Sequence, residues 1–248
     1  MTAQLAQTGF YYGPGRIGWG LDPTYVLILL ALVISSLVSA KMNATFSRYS
    51  KVRAYSGLTG AQAAQRILQR AGIYDVKIQR VAGRLTDHYD PTNKVLRLSD
   101  AVYDNTSVAA IGVAAHECGH AVQHAVHYKP LAIRSAIVPA ANLGSQLSWP
   151  LFLAGLIFSF RPLLTAGIVL FCGALLFQVV TLPVEFNASG RALVLLEETG
   201  IMGREEVGST RKVLQAAALT YVAAVVSSLL QLLRLLILSG AFRRRDDN

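Results

Sequence analysis

Charge is scarce in this chain. Asp, Glu, Lys and Arg make up 15% of its 248 residues, against roughly a quarter in an ordinary soluble domain. Hydrophobic residues make up 53%, and both deviations point to the bilayer. Cysteine is nearly absent. Of the two, Cys118 lies in a polar motif and Cys172 in an apolar run, so no disulfide is expected. Met1–Leu21 lacks the basic start and apolar run of a secretory signal. The net charge is +9, yet no basic groove interleaved with aromatics is present, so nucleic acid is not an expected partner. Lys and Arg gathered in cytoplasmic segments explain the excess better.

Long apolar runs are what the chain has. Residues 1–23 read as an interfacial tail, with Tyr11, Tyr12 and Trp19 suited to the headgroup level. Residues 24–40 carry no charge and form a first span. Lys41, Arg48, Lys51 and Arg53 follow and place that end in the cytoplasm. Residues 137–160, interrupted by Pro139 and Pro150, form a second span and residues 163–182 a third. Residues 216–238 are ambiguous. They hold Gln231 and Arg234, and a crossing would leave Arg243–Arg245 outside, against the charge rule. The reading favoured on that ground keeps them on the inner side, packed on the catalytic region.

Residues 41–130 are the most polar part. Thr59 and Gln62 form a capping box, and Gly72 suits the residue after a helix end, so residues 60–71 are expected to be helical. Val76–Val81 and Lys94–Ser99 read as short strands, the second preceded by the turn signature Asp90–Asn93. Thr106 or Ser107 is then placed to cap a helix running to about Tyr128.

That helix holds His116, Glu117 and His120 in the order H-E-x-x-H. Residues four apart share a helix face, so the two imidazoles can grip one metal ion. Glu117 beside them can take a proton from a water. The bland alternative is a chance match inside a buried helix. A catalytic zinc normally keeps three protein ligands. The pattern with a glycine three residues and a histidine six residues after His120 fails, because Gln123 and Val126 stand there. His124 lies a turn too far along, and it and His127 read as surface residues. His88 suits a hairpin or substrate-side role.

Glu185 is the best third ligand. It follows Pro183, a natural helix start, and lies just past the third span, where an ionisable group is costly without a task. An acidic residue at a helix start has an ordinary dipole explanation too. Two spans between His120 and Glu185 return the chain to one side of the membrane, which favours the ligand reading.

Leu85–Pro91, Leu96–Ser99, Gly112–Ala121, Thr181–Ser189 and Ala216–Ala224 together resemble the YugP-type family of membrane neutral zinc metallopeptidases. The likeness covers the chain from about residue 22. More distantly the chain is similar to the HtpX and CAAX-prenyl-protease group, where a membrane hairpin also separates H-E-x-x-H from a Glu ligand. The resemblance implies one zinc per chain on His116, His120 and Glu185. Four residues after the Glu ligand such enzymes usually carry an Asp that orients a metal-bound His. This chain has Ser189 there, with Asn187 as a possible aid.

The expected fold is mainly α: one multi-pass integral membrane domain over 1–248, with a small zincin-like catalytic region at the cytoplasmic face of the cell membrane. That region comprises 41–130 and 183–215 and contains a short β-hairpin or sheet. The expected reaction is zinc-dependent hydrolysis of peptide bonds in membrane-associated or hydrophobic polypeptides. Glu117 is the general base, and Tyr221 and Arg191 are candidate oxyanion donors, each with a structural alternative. The Lys94–Ser99 strand offers an edge for an extended substrate. The rival class is a non-catalytic zinc-binding membrane scaffold or chaperone partner. A transporter fits less well, since spans one and three hold almost no polar residue beyond Gln178. A homo-oligomer or a membrane partner protein is left open.

Overall fold

The computed structural model describes residues 22–240; the tail expected over 1–23 and Arg243–Arg245 lie essentially outside them. Helix α1 (Tyr25–Tyr49) absorbs the first apolar run and continues through the basic residues to Arg48. It leaves Leu29, Leu32 and Leu37 more than half exposed. A contiguous apolar surface of this kind suits lipid rather than water.

Helix α2 (Gly60–Arg70) begins with the expected capping box. Thr59 Oγ1 accepts from the Gln62 amide at 3.2 Å, and Gln62 Oε1 accepts from the Thr59 amide at 3.0 Å. It ends at Gly72, whose φ of +72° only glycine adopts freely. Strands β1 (Lys77–Val81), β2 (His88–Asp90) and β3 (Val95–Ser99) form one sheet in the order β1-β3-β2. β1 runs parallel to β3 with Lys77 opposite Val95, and β2 runs antiparallel with His88 opposite Arg97. The expected edge role of Lys94–Ser99 is therefore corrected. β3 is paired on both sides, its backbone groups are spent, and the sheet's free edges belong to β1 and β2.

Helix α3 (Val108–Ala125) is capped by Ser107, whose hydroxyl accepts from the Ala110 amide. Ala109, Ala110, Ala114 and Ala115 are fully buried. Their small side chains let α2, α5 (Arg161–Glu198) and α6 (Arg204–Leu238) all pack closely on α3. Phe46, Ile67, Leu96, Leu98, Ile111 and Val213 complete that core.

Helix α4 (Lys129–Ile157) contains Pro139 and Pro150 and forms a hairpin with α5. Glycines set the spacing. A Cβ on Gly167 would stand 2.8 Å from the Phe152 amide nitrogen, and one on Gly155 2.6 Å from that of Leu164. Small residues let helix backbones approach in this way within membranes.

Three described helices are long and apolar enough to cross a membrane: α1, α5 and α6. The 137–160 run is helical and less apolar than these, diluted by Asn142, Ser145, Gln146 and Ser148, and it is the other arm of the hairpin with α5 that separates His120 from Glu185. Two expectations change. The 216–238 run is one of the three, and it packs along the apolar part of α1 rather than against the catalytic region alone. Ser35 and Ser227 hydroxyls lie 3.0 Å apart, and Arg234 Nε donates to Thr24 Oγ1 at 3.3 Å. Pro183 starts no helix either. It sits inside the 38 residues of α5, about 57 Å at 1.5 Å per residue. A span needs roughly 20 residues, so one helix can cross and still carry a site beyond the crossing.

Candidate metal centre

The fourfold spacing on α3 stacks His116 and His120 with ring centroids 4.8 Å apart, edge to face. From α5, the Glu185 carboxylate enters between them, only 2% exposed. Its Oε2 lies 3.2 Å from His116 Nε2 and 3.6 Å from His120 Nε2. Donors sharing one tetrahedral zinc at about 2.0 Å are separated by about 3.3 Å, so the spacing fits. Among the described residues these three form a group whose donor atoms all lie within 4.8 Å of one another.

Each imidazole is held from behind. His116 Nδ1 lies 3.1 Å from Ser189 Oγ, one turn beyond Glu185 on the same face of α5. His120 Nδ1 lies 3.0 Å from Gln123 Oε1. Gln123 is fully buried, and its amide donates to the Val184 carbonyl at 2.8 Å and to Asn187 Oδ1 at 2.9 Å. An Nδ1–H donated rearward leaves Nε2 as a lone pair facing the shared point.

Gln123 is the residue that sequence reasoning missed. It counted only as a mismatch to a glycine, although three residues after His120 is a helix-neighbour position. Arg134 was missed too. From α4 its Nη1 reaches Glu185 Oε1 at 3.1 Å, leaving Oε2 for the imidazole side. A cation in an otherwise apolar run was the available signal.

Glu117 is buried and borders two cavities, of 270 and 350 Å³, that flank the ligand group. Tyr221, from α6, borders both as well. Arg191 does not reach them. Its Nε donates to Asn187 Oδ1 at 2.8 Å, its guanidinium stands over the Tyr128 ring, and it lines an open groove of 880 Å³ remote from the imidazoles. That groove is larger than either cavity, but it carries none of the ligand group.

His88 and His124 stay out of the group. His124 meets the Tyr89 hydroxyl at 2.8 Å, and His88 sits between the Thr86 carbonyl and Arg97. Cys118 points away, towards the Ala64 carbonyl, and burial pushes its thiol up. Both cysteines are free, as expected. Burial alone would lower the His120 imidazole; the Glu185 hydrogen bond and the Glu117 charge more than offset it, leaving it above its ordinary value. Asp87, which borders both cavities, accepts from the Ser99 amide and hydroxyl, and burial holds its carboxyl above the usual carboxylate range. Two imidazoles faced by this many carboxylates make a cation-seeking site.

A mainly helical chain with candidate spans and a largely buried His–His–Glu group that could hold a metal ion has the make-up of a membrane metalloprotein. Residues 24–240 match the family described as "Putative neutral zinc metallopeptidase", and the chain belongs to that family. It is 47% identical over 224 residues to the "Putative membrane protease YugP" of Bacillus subtilis (strain 168), covering 90% of this chain and 98% of that protein. No solved structure matches.

Proposed function

We propose that the protein is a zinc-dependent endopeptidase acting on membrane-associated or hydrophobic polypeptides at the cytoplasmic face. The observation that carries this reading is the convergence of His116, His120 and Glu185 beside Glu117, across two elements 69 residues apart in sequence. Zinc in such a donor set supplies Lewis-acid polarisation of a carbonyl and an acidified water. His116, His120 and Glu185 would hold it, with Ser189 and Gln123 fixing the tautomers. Glu117 accepts a proton from the attacking water and returns it to the leaving amine nitrogen. Tyr221 is positioned to donate towards the oxygen that gains charge. The free edge of β2, bordering the 350 Å³ cavity, aligns an extended peptide by strand addition.

The experiment is Glu117→Gln in the purified full-length chain. About one zinc per chain is expected to stay, while peptide cleavage falls by at least about 100-fold. Unchanged cleavage excludes this mechanism. Zinc without cleavage in the unmodified chain favours the scaffold class.

A further inference from the structure

The two cavities beside the ligand group differ in the charged side chains among their walls. They share Asp87, His116, Glu117, Glu185 and Tyr221, so each opens on one side of the same reacting position. Beyond those shared residues, the 350 Å³ cavity has mixed walls, with Arg134, His88 and Ser135 beside the apolar Pro91, Leu131 and Val138. The 270 Å³ cavity adds no charged group: apart from the Ser189 and Thr220 hydroxyls, its further walls are Met42, Leu85, Val113, Leu214, Ala217 and Ala218. These come from α1, the β1–β2 loop, α3 and α6. Sites for whole small ligands usually measure about 300–1,000 Å³, so the smaller cavity is sized for a single large side chain.

The Leu85 wall is held in an unfavourable conformation. Leu85 has φ +58°, a region that bulky residues rarely enter. Both sides of it are tied down. Arg84 Nη2 donates to Ser47 Oγ at 3.1 Å, with its guanidinium 5.3 Å from the centre of the Phe46 ring. Asp87 is fixed to Ser99 of β3. Backbone held this way, with its side chain lining a cavity, is characteristic of a built site.

Resting on the peptidase reading above, we propose that the 270 Å³ cavity is a specificity pocket. It selects a large apolar side chain, such as Leu, Met or Phe, next to the bond that is cut, and Ala217 and Leu85 set its size. The mixed cavity on the other side, with Arg134 and His88 in its walls, also accepts polar residues, so the two together fix the direction in which a peptide lies. The substrates are then segments with a large apolar residue followed or preceded by polar chain, as at the end of a membrane span.

The test uses the zinc-loaded full-length chain in detergent. It is given a peptide series that varies one residue through Ala, Val, Leu, Met, Phe and Asp, with cut sites read by mass spectrometry. A pocket that loses several methylenes of contact costs at least about tenfold in kcat/KM, so Leu over Ala is expected to exceed that ratio. Ala217→Phe fills the cavity and is expected to reduce or invert the ratio with zinc content unchanged; Ala217→Leu does so more gently. Leu85→Gly relieves the backbone and removes the wall; it is expected to flatten the preference without loss of thermal stability. An enzyme that cuts without regard to the varied residue overturns the inference and leaves the peptidase reading standing. A preference unmoved in both Ala217→Phe and Leu85→Gly does the same. A chain that binds zinc and cuts no peptide overturns both.

Discussion

At the scale of single residues, the centre depends on groups that never touch the proposed metal. Gln123 has its carbonyl and both amide hydrogens engaged, on His120, Val184 and Asn187. Gln123→Ala strips the rear hydrogen bond from His120 and removes the amide that ties α3 to the Val184 carbonyl and Asn187 of α5. Loss of such partners typically weakens metal binding about 10–100-fold, and Gln123→Ala is expected to fall near the upper end. Ser189→Ala is expected near the lower end, because its hydroxyl serves His116 alone among the ligands. Competition against a chromogenic chelator measures both. An affinity unchanged in Gln123→Ala removes the tautomer argument.

At the scale of elements, the site exists only if α3 and α5 keep their spacing. Gly119 sets it. A Cβ there would stand 2.5 Å from the Ala188 carbonyl oxygen, between His120 on one helix and Ser189 on the other. Gly119→Ala forces the two backbones apart. Overpacking of this kind costs about 1–3 kcal/mol, and the same shift carries Glu185 away from the imidazoles. Lower thermal stability together with loss of bound zinc is expected, read by calorimetry and metal analysis. The β2–β3 turn supplies a pH marker. Asp90 accepts from the side chain and amide of Asn93, from the Arg97 guanidinium and from the Thr92 amide, which lower its carboxyl from 3.8 to about 2. A depressed folded value means that its contribution is complete above about pH 4 and is lost as pH falls through about 2. Hydrogen exchange at the hairpin is expected to rise across that window, and Asp90→Ala to abolish the pH step.

At the scale of the whole molecule, α1 and α6 form an antiparallel pair. Thr24 meets Arg234 at one end and Ser35 meets Ser227 further along. A basic end of α1 in the cytoplasm, opposite its start at Thr24, therefore puts the end of α6 on the far side, together with the start of α1. A reporter fused after Asn248 is expected to be active only on the side away from the proposed metal ligands. Activity on the side of those ligands removes α6 as a crossing helix. The expected outcome would set the packing of α6 on α1 above the charge rule as the guide to topology.

The helical spacing of His116 and His120, the Thr59–Gln62 box and the Ser107 cap were all legible in the residue order, because each involves groups within four positions of one another. The apolar runs were legible for the same reason: length and composition are local properties. Only tertiary structure decided that β3 is central, that Pro183 lies within a continuous α5, that Gln123 backs His120, and that residues 216–238 accompany α1. In each case the answer depends on which faces meet across tens of residues, and contacts such as Gly119 on Ala188 select that meeting through steric fit rather than through any pattern along the chain.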